Sequence, residues 1–317
     1  MKVKHHALME HLAPYTSVSI IGMAKNVGKT TTLNYLIERF NQSKTRLALT
    51  SIGRDGESVD VVTGTQKPKI FIQKGTMIAT AEKLLGFCDI TKEILLATNI
   101  NTPLGRIIIV RALSDGFVQL GGPSITSQMS ELLLLLKELG ADKIIVDGAL
   151  NRKTLASPSV TEAAILCTGA SLDRNLHTVT RETQHLVRLL TLPKLDDKVI
   201  LAELEHVKDE KVTKEKNYIY ISGAVSDTFV NNLIMSGTLL KGVYLIAEDA
   251  SKIFIKPDTF KKLMLKKAIL VVINPIHLVG LTVNPTSPYN VDFDAAEFLE
   301  KLREAIPIPV YDVLAEK

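Results

Sequence analysis

The chain has 317 residues, of which 46% are hydrophobic and 23% are charged, and its formal net charge is +4. This length allows one large or two medium domains, and the composition is that of a soluble globular protein. The basic residues are spread along the chain and only 5% of the residues are aromatic. Neither a nucleic-acid-binding surface nor an aromatic platform for single strands is therefore indicated.

The cysteines and the apolar runs indicate the compartment. Cys88 and Cys167 are isolated, a pattern that argues against a disulfide framework or a zinc site and fits a reducing cytoplasm. The apolar runs fall short of the roughly 20 residues of a membrane helix, and the first residues lack the apolar core of a signal peptide. We therefore expect a cytoplasmic protein with no membrane partner and no nucleic-acid partner.

Residues 17–32 carry the most informative motif in the chain. They comprise a short apolar strand, a turn bounded by glycines, and Gly-Lys-Thr at the start of a helix. The first backbone N–H groups of a helix have no partner within it, so together with the helix dipole they attract an anion such as a phosphate. We predict a binding site for ATP and Mg²⁺ here, with an ordinary strand-to-helix turn as the alternative.

Particular residues of this motif have predicted roles. Lys29 is expected to reach the β- and γ-phosphates and to be catalytic, and the Thr30 hydroxyl is expected to bind Mg²⁺. A glycine at position 28 lets a phosphate approach the backbone, because glycine has no Cβ. The full predicted set of nucleotide-binding residues is Gly22, Lys25, Asn26, Val27, Gly28, Lys29, Thr30 and Thr31.

The spacing of the two glycines in this motif is unusual. Five residues separate Gly22 from Gly28, where four are standard. In this spacing the loop resembles those of dethiobiotin synthetase and the cobyrinate amidating enzymes. The partitioning ATPases fit less well, because their second lysine would fall at Ala24, one position before Lys25. If Lys25 does not take the place of that lysine, dimerisation around ATP is not required, although a homodimer is allowed.

An acidic loop follows the second predicted strand. A helix at residues 31–40 and a strand at 46–50 continue the chain, and the loop at 50–60 leaves the carboxyl end of that strand, where ligands bind in parallel sheets. We predict that Asp55 ligates Mg²⁺ directly or through water, with Glu57 as a second candidate. A solvated polar turn is the alternative.

In the middle of the chain, patterns typical of strands alternate with patterns typical of helices. Ser124 or Thr126 is expected to cap a helix, with an anion contact at that helix end as the alternative. The predicted elements are a strand at 69–72, a helix at 79–85, a strand at 106–111 with a hairpin partner at 117–120, and the capped helix at 128–139.

A second informative stretch is Lys143–Gly148, an apolar strand that ends in Asp147 and a glycine. Behind a phosphate-binding loop, an aspartate at a strand end binds Mg²⁺ through water and can help position the attacking group. We therefore predict that Asp147 is both catalytic and a metal ligand, with an aspartate that begins a turn as the alternative.

The remaining chain contains further α/β alternation. A strand at 163–167 precedes a long helix at 172–190, on which His177, Arg181 and His185 share one face and are expected to be exposed to solvent. A charged connector then indicates a domain boundary near residue 195. We predict a nucleotide-binding domain at 1–195, and a domain at 196–317 that binds a client or partner.

Together these elements predict an α/β fold. Its main part is a mostly parallel P-loop NTPase sheet with helices on both faces, and a smaller C-terminal α/β domain follows. No 20–50-residue repeat and no low-complexity segment is found.

Two phrases in the chain resemble a known family. Ile20–Thr30, with its Gly-Met-Ala-Lys-Asn, and Thr50–Glu57, with its Ser-Ile-Gly-Arg-Asp-Gly-Glu, are similar to the P-loop subunit of the reactivase for lysine 5,6-aminomutase, and Val61–Pro68 and Val146–Lys153 fit as well. The match covers mainly the first 170 residues or so. The resemblance implies a helper ATPase that acts on the aminomutase, an adenosylcobalamin enzyme, together with a MutS-like ATPase subunit. ATP would drive the release of damaged cofactor in lysine fermentation.

Two other functions fit the residues. The loop spacing also suits an ATP-dependent small-molecule ligase or kinase of the dethiobiotin synthetase type. A nucleotide-binding regulatory module with negligible turnover is the third possibility. An ATPase assay would separate the three functions. Stimulation by the aminomutase supports the reactivase, turnover of an added acid supports the ligase or kinase, and no turnover supports the regulatory module.

Overall fold

The structure, a computed structural model, describes residues 7–53, 70–150, 157, 160–204, 212–215, 217–239 and 241–315. The chain divides into two compact units. The first unit combines Met1–Val179 with Leu278–Lys317, and the second unit consists of Thr180–His277. In sequence, the second unit therefore interrupts the first.

The strands are β1 (Ser17–Gly22), β2 (Leu47–Ser51), β3 (Ile70–Ile72), β4 (Met77–Ala81), β5 (Lys92–Thr102), β6 (Gly105–Ala112), β7 (Gly116–Val118), β8 (Lys143–Leu150), β9 (Ala163–Gly169), β10 (Val212–Lys214), β11 (Tyr218–Ile221), β12 (Val225–Ser226), β13 (Tyr244–Asp249), β14 (Ile253–Phe254), β15 (Ile269–Asn274), β16 (Leu278–Asn284) and β17 (Val310–Tyr311). The helices are α1 (Ala7–Leu12), α2 (Lys29–Gln42), α3 (Glu82–Leu85), α4 (Thr126–Glu138), α5 (Leu176–Leu190), α6 (Lys198–Leu204), α7 (Asp227–Met235), α8 (Pro257–Leu265) and α9 (Ala295–Ala305).

A nine-stranded sheet forms the first unit. Its strand order is β17-β16-β9-β1-β8-β2-β4-β6-β5. All neighbours from β17 to β4 are parallel, and β6 runs antiparallel to both β4 and β5. Every residue of β1, β2 and β9 is buried, as expected for a parallel sheet that is covered on both faces. The prediction of a mostly parallel α/β fold is confirmed.

The helix that follows β1 packs on this sheet. Leu33, Leu36, Ile37 and Phe40 of α2 recur at helical spacing, and all four are buried. They belong to the main core together with buried residues of β1, β2, β8 and β9. This packing fixes the start of α2 against the carboxyl end of β1.

The second unit has its own smaller sheet and core. Its strand order is β10-β11-β13-β15, with β10 antiparallel and the other three strands parallel. A separate pair, β12 and β14, is parallel. The buried cluster of this unit contains Leu195, Ile200, Leu204, Tyr218, Tyr220, Ile246 and Val271.

Three local expectations differ from the structure. The helix predicted at 79–85 forms only over Glu82–Leu85 (α3), because residues 77–81 are a buried strand that pairs with both β2 and β6. The expected hairpin between residues 106–111 and residues 117–120 is wrong, since β7 (Gly116–Val118) pairs with β3 instead. The longest strand, β5, has no clear sequence signal because only one of its faces is partly buried.

The end of the chain also lies elsewhere than the pattern predicts. Residues 278–311 are expected in a separate C-terminal domain, yet β16 pairs in parallel with β9, and β17 pairs with β16. Leu281 of β16 lies opposite Leu166 of β9 and is fully buried. The last two strands thus complete the sheet that carries β1.

Within the part of the chain that the structure describes, no helix is both long and apolar enough to cross a membrane.

Candidate phosphate-binding site

The turn between β1 and α2 has the backbone of an anion-binding loop. Gly28 is the N-cap of α2 with φ 90°, and this N-cap offers no side-chain hydrogen bond to the first turn of the helix. The first helical hydrogen bond runs from the Thr32 N–H to the Gly28 carbonyl at 2.9 Å. The N–H groups at positions 29–31 precede this bond and have no partner within the helix, so they are available to an anion.

Both glycines of the motif allow a close approach of another side chain. A Cβ on Gly22 would lie 2.7 Å from Nζ of Lys29, so the lysine side chain passes directly over this residue. A Cβ on Gly28 would lie 3.1 Å from Cβ of Asn284, and its φ is in the left-handed region. Asn26, at the apex of the loop, is also left-handed with φ 60°, a conformation that asparagine tolerates.

Lys29 is held within the loop. Its Nζ donates a hydrogen bond to the Ala24 carbonyl at 3.2 Å. The ammonium group thus lies over the first half of the loop, beside Gly22. Thr30 and Thr31 follow in the first turn of α2, and both are half-buried. These positions agree with the predicted roles of the three residues, which no contact in the structure tests directly.

Asp147 provides a buried negative charge next to this lysine. It lies in β8, opposite Ile20 of β1. Its Oδ1 atom is buried and has no hydrogen-bond partner among the described residues. Burial raises the pKa of Asp147 to about 6, and the charge of Lys29 acts in the opposite direction. A buried carboxylate oxygen without a donor is suited to a cation, which agrees with the predicted metal role.

The strand around Asp147 differs in one detail from the prediction. The sequence pattern ends the strand at Asp147, but β8 continues to Leu150. Its longer pairing with β1 includes Gly22 opposite Leu150. Asp147 is therefore held inside a strand rather than at a free strand end.

The acidic loop predicted to contribute a second metal ligand cannot be placed. Asp55 and Glu57 lie outside the described residues. The described part ends at Gly53, whose N–H donates to the Pro123 carbonyl at 3.2 Å. Among the described residues, the predicted metal ligands are thus Thr30 and Asp147.

Two side chains from outside the motif contact the loop. Ser171 Oγ donates to the Asn26 carbonyl at 3.2 Å, and Asn284 Nδ2 donates to the same carbonyl at 3.0 Å. Ser171 follows β9, and Asn284 ends β16. Neither residue has a sequence signal that links it to the loop, because 145 and 258 positions separate them from Asn26.

Two other expectations for polar residues are wrong. The helix α4 begins at Thr126 with Ile125 as its N-cap, and no side chain caps it, so neither Ser124 nor Thr126 has the predicted role. His185 is half-buried rather than exposed to solvent. Its Nε2 is 2.7 Å from the Ile255 carbonyl oxygen, and its ring packs on Phe260. His177 and Arg181 are exposed as expected.

The sheet order and the loop define a P-loop-type α/β architecture. Comparison with protein-family models finds no match, and comparison with curated proteins finds none either. The solved structure of the signal recognition particle receptor FtsY from Elizabethkingia anophelis is distantly similar. Its TM-score is 0.29 and its identity 11%, over 93% of this chain and 69% of that chain. A similarity of this degree carries no weight for function, so the site is interpreted from its own geometry.

Proposed function

We propose that the chain binds a nucleoside triphosphate, ATP, with Mg²⁺ at the loop between β1 and α2. The observation that carries the proposal is the buried, unpartnered Oδ1 of Asp147 beside Lys29, next to a helix start with no side-chain cap. The ammonium of Lys29 and the carboxylate of Asp147 both lie at the start of α2, where the first helical N–H groups have no partner within the helix. This combination suits a ligand that is itself a metal-bound polyanion.

Each residue would have a separate task in binding. The N–H groups at positions 29–31 would bind phosphate oxygens, and the ammonium of Lys29 would neutralise the β- and γ-phosphates. The Thr30 hydroxyl and the Asp147 carboxylate would hold Mg²⁺, which supplies charge neutralisation when bound. With a pKa of about 6, Asp147 is mostly ionised at neutral pH and can take this role.

The finer proposal is that the chain is a helper ATPase of the reactivase type. It is supported by the resemblance of Ile20–Thr30 and Thr50–Glu57 to the P-loop subunit of the lysine 5,6-aminomutase reactivase. The client would be the adenosylcobalamin-dependent aminomutase, and the partner a MutS-like ATPase subunit. The second unit, Thr180–His277, is the proposed surface for the client, because it has its own core and interrupts the nucleotide-binding unit in sequence.

The loop spacing favours one second candidate. Five residues between Gly22 and Gly28 are shared with dethiobiotin synthetase-type enzymes, which act on a small carboxylate or carbamate. In that case the chain would be a ligase or kinase, and turnover would depend on a small acid rather than on a protein.

The test begins with ATP and GTP binding to the purified chain, measured calorimetrically with and without Mg²⁺. ATP turnover is then measured for the chain alone, with inactivated lysine 5,6-aminomutase, and with a panel of small carboxylic acids. Stimulation by the aminomutase, with recovery of its activity, supports the reactivase. Turnover with an acid supports the ligase or kinase, and binding without turnover supports a regulatory module. The absence of binding to either nucleotide overturns the proposal.

A further inference from the structure

The carbonyl of Asn26 is held from two sides. Ser171 Oγ and Asn284 Nδ2 donate to this single oxygen, at 3.2 and 3.0 Å. Asn26 lies at the loop apex in the left-handed region, between Gly22 and Lys29. Asparagine tolerates this φ, and the two donors to its carbonyl further stabilise the backbone turn at this position.

The two donors form one rigid wall. The Ala170 N–H donates to the Asn284 carbonyl at 3.0 Å, which ties the end of β9 to the end of β16. Oδ1 of Asn284 accepts the Thr286 hydroxyl at 3.0 Å, which orients the amide so that Nδ2 points to Asn26. The Cβ of Asn284 also lies 3.1 Å from where a Cβ on Gly28 would be. Asn284 therefore supports both the apex and the last glycine of the loop.

A buried contact below the loop links the same strands to the helix. The Thr32 hydroxyl, in the first turns of α2, is 2.8 Å from the Thr282 hydroxyl of β16. The Thr282 hydroxyl also donates to Cys167 Sγ of β9 at 3.1 Å. The ends of β9 and β16 thus contact both the loop and the start of α2.

The positions of the two donors in the chain give this wall a further property. Ser171 lies nine residues before Thr180, where the chain enters the second unit. Asn284 lies seven residues after His277, where the chain leaves it. Each of the two side chains that hold Asn26 therefore belongs to the first unit and lies within ten residues of a point where the chain crosses between the units.

We propose that Ser171 and Asn284 are positioning residues for the nucleotide, and that the second unit regulates nucleotide affinity through them. The proposal rests on the proposed nucleotide site. A loop held in its binding conformation before the ligand arrives binds with less ordering cost, so loss of the wall lowers affinity. Because coupling between two sites is reciprocal, nucleotide binding also stabilises the connections to the second unit.

The first test compares nucleotide affinity in four proteins: the full-length wild type, Ser171→Ala, Asn284→Ala and the double variant. The ligand is a non-hydrolysable ATP analogue with Mg²⁺. Each single variant retains one donor to Asn26, so we expect affinity to fall by about 2- to 5-fold, the value of one hydrogen bond. The double variant leaves the carbonyl without either side-chain donor, and we expect a loss greater than the product of the two single losses.

Control variants separate this effect from a general loss of stability. Asn101→Ala removes another Nδ2 that donates to a backbone carbonyl, that of Asn99 at 3.2 Å in the edge strand β5 of the first unit, and should leave affinity unchanged. Ser287→Ala removes a hydroxyl from the loop that follows Asn284 and should also be neutral. Ser171→Thr keeps the hydroxyl and should bind like the wild type.

The second test measures amide hydrogen exchange in α5 (Leu176–Leu190), the helix through which the chain enters the second unit. We expect saturating nucleotide to slow exchange in the wild type and to have no effect on α5 in the double variant at saturation. Unchanged affinity in the double variant, or equal α5 protection in both proteins, overturns this proposal while the nucleotide site stands. A wild type that binds no nucleotide overturns both.

Discussion

Lys29 lies directly across Gly22: an ideal Cβ on the glycine would be 2.7 Å from Nζ of the lysine and 2.8 Å from its Cδ. The two residues are seven positions apart, at the start and the end of the motif. The lysine can take this path only because the glycine has no side chain. The absence of a side chain at Gly22 therefore allows the ammonium group of Lys29 to lie where it does.

The first prediction concerns this glycine. In Gly22→Ala, the new methyl group displaces Lys29, a flexible side chain, rather than the backbone. We expect the affinity for Mg²⁺-ATP to fall by about 10-fold, in the range of a charge-assisted hydrogen bond, with little change in thermal stability. Calorimetric titration and circular-dichroism melting measure the two effects. A variant that binds as well as the wild type would show that the position of Lys29 is not set by Gly22.

The second prediction concerns the lysine itself. Lys29→Ala should lower nucleotide affinity by about 10- to 100-fold, because it removes the cation that would neutralise the phosphates. The fold should remain intact, since the hydrogen bond that Nζ of Lys29 donates goes to a backbone carbonyl of the same loop, that of Ala24. Lys74→Ala, an exposed lysine outside the loop, is the matched control and should bind normally. Normal ATP binding by Lys29→Ala would rule out the site.

The third prediction separates the metal from the phosphates. Thr30→Val removes a hydroxyl and keeps the shape of the side chain, whereas Thr30→Ser keeps the hydroxyl. We expect the Mg²⁺ concentration needed for half-maximal nucleotide binding to rise severalfold in the valine variant only. A titration with Mg²⁺ at fixed ATP measures this. An equal rise in both variants would indicate a packing effect instead of a metal ligand.

The fourth prediction follows from the pKa of Asp147. Because burial raises this pKa to about 6, the folded protein holds a proton more tightly than the unfolded chain between about pH 4 and 6. The contribution of Asp147 to the free energy of unfolding of the wild type therefore falls as the pH rises through this window. Asp147→Asn has no such group, so we expect it to be more stable than the wild type at pH 7, by up to about 3 kcal/mol, and similar to it at pH 4.

Denaturant unfolding at pH 4, 5, 6 and 7, without nucleotide, measures this difference. In the presence of Mg²⁺-ATP the same variant should hydrolyse more slowly, because the predicted metal ligand is lost. A stability difference that does not change with pH would show that the carboxyl is not buried, and an undiminished rate would remove Asp147 from the site.

The fifth prediction tests where the end of the chain belongs. Leu281 of β16 is fully buried against β9. Leu281→Ala should lower the free energy of unfolding by about 2–5 kcal/mol and speed hydrogen exchange in β9. Leu134→Ala, the same change at a residue that is 62% exposed, should do neither. If β9 exchanged normally in Leu281→Ala, residues 278–311 would belong to an independent domain, as the sequence pattern predicts.

Part of the site could be recognised from local spacing alone. The glycines, Lys29 and Thr30 stand within nine consecutive residues, and Asp147 follows an apolar run of strand length. These signals depend on neighbours in the chain, so they survive without knowledge of the fold. The mostly parallel α/β class was predictable for the same reason, since strands and helices alternate along the chain.

The predictions that are wrong concern positions whose structure depends on contacts with residues far away in the sequence. Residues 77–81 have no strong strand pattern, yet they pair with β2 on one side and β6 on the other. His185 has the spacing of an exposed residue, but a carbonyl and a ring from residues 255 and 260 bury half of it. Pairing and burial of this kind outweigh local propensity.

The sequence by itself determined the glycine-bounded loop after β1, the helix that follows it and the strand of Asp147, because each is encoded in a run of fewer than twenty residues. Only the tertiary structure decided that β16 returns to the first sheet after the second unit, and that Ser171 and Asn284 meet at Asn26. It also decided that Asp147 is buried with a raised pKa. Contacts across 145 and 258 positions depend on how the whole chain packs, and no local pattern records them.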